Sequence, residues 1–148
     1  MQKFLIVTAD DFGLHEAVND AVEQASRAGV LTAASLMVAA PAAADAVRRA
    51  RKQPQLRVGL HLVLADGNAM LAPDRIPGLA DQAGRMNSRM FVNGVRFFML
   101  PELRRQLEAE IHAQFSAFMR TGLKLDHVNV HKHFHLHPML LEILLRVG

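Results

Sequence analysis

Four short apolar runs alternate with segments of helical period along this chain, and that alternation constrains its fold more than any other feature. Phe4 to Thr8, Leu31 to Val38, Leu56 to Leu64 and Leu125 to Val130 are rich in aliphatic and β-branched residues. Runs of this kind, apolar on both faces, suit strands that are covered on both sides. Between them, His15 to Ala28 places Ala17, Val18, Ala21, Val22 and Ala25 on one helical face and stops at Gly29. Pro41 to Lys52 opens on a proline, as helices often do, and Pro101 to Arg120 is followed by a stop at Gly122. Strand and helix in this order predict an α/β fold with a parallel sheet and helical crossovers, either an open sheet or part of a (β/α) barrel.

The chain has 148 residues, 51% of them hydrophobic, which is enough for one domain with a real core. The stretch from Ala65 to Leu100 is rich in Gly, Pro, Asp and Asn and keeps no period, so it reads as a long functional loop. Short helical turns are expected within it at Leu71 to Pro77 and Met90 to Phe98. A last helix begins after Pro138 and runs from Met139 to Val147. Because an eight-unit barrel takes about 250 residues, residues 1–148 are expected to be the N-terminal part of a single larger domain. A partial barrel leaves an apolar edge uncovered, so a homo-oligomer is expected.

The N-terminal apolar run ends in two acids rather than in small residues, so it reads as a strand and not a signal peptide. No segment reaches the roughly 20 apolar residues of a membrane helix, and there is no cysteine. A cytoplasmic location is the expectation. The net charge is +3, its basic residues sit on helical segments such as Val47 to Lys52, and Trp and Tyr are absent. Nucleic acid is therefore not an expected partner.

Three signals fall at the C-terminal ends of predicted strands, where α/β folds place their chemistry. The first is Thr8-Ala9-Asp10-Asp11-Phe12-Gly13, two adjacent carboxylates that can take different roles, or that can simply cap the following helix. The second is His61 inside the apolar run Gly59-Leu60-His61-Leu62. The third is His127-Val128-Asn129-Val130-His131-Lys132-His133-Phe134-His135-Leu136-His137-Pro138. On a strand, His127, Asn129 and His131 share a face, and the parity continues through His133, His135 and His137. One carboxylate and two imidazoles from three strand ends make an open metal site, suited to Lewis-acid and water-activating chemistry. A metal-dependent phosphoesterase and a non-catalytic metal-binding module are the alternatives.

The Thr-Ala-Asp-Asp-Phe-Gly motif, Gly59 to Leu64, and the His-x-His-x-His-x-x-Pro pattern of His131 to Pro138 resemble the YdjC-like family, which includes chitooligosaccharide deacetylases. Gly29 to Val38 and Asp126 to Asn129 resemble in particular its hopanoid-biosynthesis-associated branch, HpnK. The resemblance implies a (β/α) barrel-like domain that removes an N-acetyl group from an amino-sugar-containing substrate, chitooligosaccharide-like or a glycosylated hopanoid. It implies one divalent ion, magnesium or zinc, held by Asp11, His61 and His131, with Asp10 as general base. His133, His135 or a residue beyond Gly148 would protonate the leaving amine, and Lys132 would point to solvent. Family members commonly carry Asp-Ser where this chain has Asn129-Val130, so an amide replaces a carboxylate that would orient a ligand.

Overall fold

The computed structural model describes residues 3–88, 94, 96, 97 and 99–148. Four strands, β1 (Thr8–Phe12), β2 (Ala33–Leu36), β3 (Arg57–Leu62) and β4 (Val128–Val130), form one sheet in the order β1-β2-β3-β4. β1 pairs with β2, and β2 with β3, in parallel. The expected α/β class is thus present, and the order advances strand by strand with no reversal. Among the described residues the four strands stay an open sheet with β1 and β4 at its edges, so no closed barrel is formed.

The helices are α1 (Glu16–Arg27), α2 (Ala43–Ala50), α3 (Pro101–Arg120) and α4 (Pro138–Val147). Their limits follow local chemistry. Pro101 and Pro138 stand at first turns, where the missing N–H is no loss, and Gly122, at φ 72°, reverses the chain just past α3. At α1 the cap is His15, whose Nδ1 accepts from the Ala17 N–H at 3.1 Å. The N-cap position is thus held by His15 and not by Asp10 or Asp11.

The expected first strand, Phe4 to Thr8, is displaced. Extended pairing runs from Thr8 to Phe12, while Phe4, Leu5 and Ile6 are 84%, 79% and 73% exposed. β1 is an edge strand, and among the described residues the apolar run before it, though suited to burial, lies open. The chain forms two compact units, Met1–His61 with Phe118–Asn129, and Leu62–Ala117 with Val130–Gly148. In the first, Phe12, Val22, Ala34, Leu36, Ala46, Leu60 and Phe118 are buried. In the second, Ile76, Leu107, Ile111, Leu140 and Ile143 are buried, and the Phe97 and Phe134 rings lie 5.9 Å apart.

The described part of the long loop is ordered by a polar ladder on α3. Gln106, Glu110 and Gln114, spaced four apart, lie on one helical face and are all buried. Gln106 Oε1 accepts from the Gly78 N–H at 2.9 Å, and Glu110 accepts from the Met70 and Leu71 N–H groups at 2.7 and 2.9 Å. Gln114 accepts from the Val63 N–H and donates to the Val63 carbonyl, as a neighbouring strand would. Burial pushes the Glu110 carboxyl up from its ordinary value, against the pull of these donors. Turns occur near Leu71 to Pro77, where Arg75 and Ile76 N–H groups reach back to Ala72 and Pro73; most of Met90 to Phe98 lies outside the described residues. Among the described residues, no helix is long and apolar enough to cross a membrane.

Candidate metal centre

The acid pair sits on a β-bulge. Ala9 pairs with Ala34 and Phe12 with Leu36, so β1 spends three steps where β2 spends two. The extra residue is taken up with Asp11 at φ 60°, a left-handed conformation that Asp tolerates better than most residues. In a regular strand, adjacent side chains would leave on opposite faces. With the bulge, both carboxylates stand near His61: Asp11 Oδ1 is 3.2 Å from its Nε2, and Asp10 Oδ1 is 3.9 Å from its Nδ1.

Four consecutive strands contribute to this cluster. Ser35 of β2 donates its hydroxyl to Asp10 Oδ1 at 2.9 Å and lies 3.1 Å from His61 Nδ1. Asn129 of β4 donates through Nδ2 to Asp10 Oδ1 at 2.6 Å, and its Oδ1 lies 2.6 Å from His61 Nδ1. These contacts fix the histidine tautomer. The single Ser35 proton is given to Asp10, so the Ser35 oxygen can only accept from the ring, and Asn129 Oδ1 is an acceptor by nature. Nδ1 therefore carries a proton, and Nε2 faces the Asp11 carboxylate.

His61 Nε2 and Asp11 Oδ1, 3.2 Å apart, are bridged either by a proton on the ring nitrogen or by a cation between them. The separation also suits two ligands on one ion. Bonds of about 2.0 to 2.1 Å place neighbouring ligand atoms about 3.3 Å apart in a tetrahedral shell and about 3.0 Å apart in an octahedral one. A buried imidazole with a fixed tautomer beside a carboxylate thus fits a divalent cation, and the Nδ1 contacts are the orienting bonds such ligands ordinarily receive.

His127, immediately before β4, packs against Gly59 of β3. Its ring occupies the space that Gly59 leaves on β3: a Cβ built on Gly59 would fall 2.6 Å from the ring and 2.5 Å from the His127 carbonyl. Its Nδ1 contacts Asp126 at 3.0 Å.

In the second unit, the chain leaves β4 and turns into a 3-10 segment, His131–Leu136. His131, half-buried, opens it two residues after Asn129. The expected strand parity fails beyond this point, because Lys132 and His133 are left-handed, both at φ 55°, and redirect the side chains. His133 is exposed and His135 half-buried, with their rings edge to face at 6.0 Å. Lys132 does not simply point to solvent. It pairs with Asp66, and its ammonium holds the Asp66 carboxyl below the usual range.

Sequence reasoning missed Ser35, a fully buried hydroxyl in an otherwise apolar strand, and gave Asn129 too small a part. The signal for both was a polar side chain at a position whose neighbours call for burial.

A parallel α/β sheet with carboxylate and imidazole groups gathered at its strand ends defines a class of candidate metal-binding proteins. Within it, residues 4–148 match the YdjC-like protein family, and the chain belongs to that family. It is 39% identical to a carbohydrate deacetylase of Brevibacillus brevis and 35% identical to one of Geobacillus stearothermophilus, in each case over 97% of this chain and 55% of the relative. The chain therefore spans about half the length of these curated relatives. A crystal structure of a candidate cellobiose-phosphate cleavage protein from Enterococcus faecalis V583 superposes with a TM-score of 0.80 at 29% identity, covering 96% of this chain and 54% of that one.

Proposed function

We propose that this chain is the N-terminal part of a single deacetylase domain, a metal-dependent hydrolase that removes an N-acetyl group from an amino-sugar-bearing substrate. The observation that carries this reading is the approach of His61 Nε2 and Asp11 Oδ1 to 3.2 Å, with the other ring nitrogen held by Asn129 and Ser35. The deacetylase names of the relatives supply the reaction class. Within the family we assign the chain to the hopanoid-associated HpnK branch, so a glycosylated hopanoid stands beside a chitooligosaccharide-like substrate. The strand order, advancing without reversal, favours a (β/α) barrel-like domain in the whole protein.

Asp11, His61 and His131 are the proposed ligands. His131 follows Asn129, which already touches His61, by two residues. A bound zinc or magnesium ion would polarise the acetyl carbonyl and lower the pKa of water. Asp10 has one oxygen engaged by Ser35 and Asn129, and its side chain is 53% exposed, so its carboxylate would accept a proton from water. His133 or His135, or a residue outside this sequence, would deliver a proton to the leaving amine. We further propose a cytoplasmic, homo-oligomeric protein.

Tag-free protein, as this chain and as a longer one, should be tested by elemental analysis and then by free-amine release from N-acetylglucosamine-bearing substrates. One divalent ion per chain and amine release by the longer protein are expected. Metal bound without amine release, but with phosphate release from phosphoesters, would overturn the deacetylase reading. Absence of any bound metal after incubation with zinc or magnesium would overturn the ligand assignment.

A further inference from the structure

We infer that Asn19, a residue of α1, is the positioning residue that sets where the Asp11 carboxylate stands. The inference rests on the reading of Asp11 as a metal ligand. Asn19 is fully buried, at a helix position where packing alone would favour an apolar side chain. Its amide is entirely engaged. Oδ1 accepts from the Gly13 N–H at 2.8 Å, while Nδ2 donates to the Ala42 carbonyl at 3.0 Å and to Asp45 Oδ2 at 2.9 Å.

Gly13 is thereby gripped at both ends, since its carbonyl accepts from the Ala42 N–H at 2.9 Å. It lies at φ 98°, and Asp11, two residues earlier, lies at φ 60°. Glycine adopts its angle freely, whereas a left-handed aspartate costs energy and persists where the surroundings over-determine it. Here the over-determination is visible: Phe12 is buried, its carbonyl accepts from the Met37 N–H at 2.8 Å, and a Cβ on Gly13 would press on Ala43, Leu36 and Met37 at 3.2 Å. Gly13 N–H is itself buried, so without the Asn19 oxygen it would be left unsatisfied and the turn would rotate to find another acceptor.

The grip is anchored in turn. Asp45, on α2, receives Arg49 Nε at 2.7 Å as well as Arg48, and Arg49 also reaches Glu23 of α1 at 2.7 Å. The Asn19 amide, with these two guanidinium groups, holds the Asp45 carboxyl below its usual range. A connected path therefore runs from the α1–α2 contact through Asp45, Asn19 and Gly13 to the Asp11 bulge.

The test compares Asn19→Ala with Val22→Ala, which truncates a buried residue of the same helix away from the turn. Two quantities are read: the ¹³C backbone shifts of Asp11 and Gly13 in metal-free protein, and zinc affinity by competition with a chromophoric chelator. Asn19→Ala should move both residues' shifts away from left-handed values and weaken zinc about tenfold, at the lower end of what partners of metal ligands contribute. Val22→Ala should lower thermal stability while leaving shifts and affinity as they were. Unmoved shifts and affinity in a destabilised Asn19→Ala variant would reduce Asn19 to packing and overturn the inference. If wild-type protein takes up no zinc, the ligand reading falls and the shifts alone decide the positioning role. Should Asn19→Ala fail to fold, Asp45→Ala, which frees one Asn19 donor, must give a smaller displacement of the same shifts, and no displacement is the refuting result.

Discussion

Replacing Asn129 by alanine should weaken metal binding about tenfold and no more, and the limit follows from Ser35. Asn129 Oδ1 lies 2.6 Å from His61 Nδ1, and Ser35 Oγ lies 3.1 Å from the same atom. Loss of a ligand's orienting partner ordinarily costs about 10- to 100-fold in metal affinity. In Asn129→Ala, the ring proton still finds the Ser35 oxygen, so the lower end applies, about 1.4 kcal/mol. Ser35→Ala alone leaves the shorter contact intact and should cost less than about threefold. The double variant leaves the ring free to change tautomer, and about 100-fold is expected. The two losses should then exceed their sum, as they do for groups that share one partner. Chelator competition with zinc on metal-free wild-type, single and double variants measures all three terms. A double variant that binds like wild type, or an Asn129→Ala variant that loses the metal altogether, would refute the claim that these two groups jointly fix His61.

Asp10→Asn should retain metal and lose on the order of 100-fold or more in kcat of a complete-length enzyme, whereas Asp11→Asn should lose metal affinity with partial recovery in excess metal; the opposite pattern exchanges the two roles. Gly59→Ala should lower stability by about 3 kcal/mol, because its Cβ meets the His127 carbonyl at 2.5 Å and backbone cannot rotate away; a urea midpoint within error of wild type refutes this. Glu110 holds its proton more tightly folded than unfolded, so its contribution is full below about pH 4 and is lost as pH rises through the raised value. The melting temperature of Glu110→Gln should therefore gain on wild type as pH rises over that range, and a pH-independent difference would contradict the shift.

How much of this was legible in the chain differs by element, for physical reasons. α3 is where the pattern places it, because Pro101 and Gly122 act locally and need no tertiary help. β1 is offset by four residues, since an apolar run reports what burial would favour and not whether a partner covers it; Phe4 to Ile6 lie open. The histidine tract misled beyond His131, because strand parity was extended across Lys132 and His133, whose left-handed backbone ends it. The loop after Ala65 carries no period, and its order comes from Gln106, Glu110 and Gln114, whose spacing was visible but whose targets, forty residues away in one case, were not.

The cluster itself shows why chemistry was easier to read than geometry. Metal-ligating residue types are few, and an acid pair, a buried histidine and a histidine tract at strand ends narrow the reaction class without coordinates. What decides whether they can act is held by groups with no chemical signature of their own. Asp10 and Asp11 reach the same histidine because one extra residue bulges between Ala9 and Phe12, and no residue type announces a bulge. His61 presents Nε2 because a serine gives its only proton to Asp10 and an asparagine offers an oxygen to Nδ1. An aspartate at position 129 would accept from Nδ1 equally well but would set a second carboxylate against Asp10, where the amide now donates. The amide therefore keeps both neighbours bonded with one fewer negative charge, and it holds the His61 ring in place.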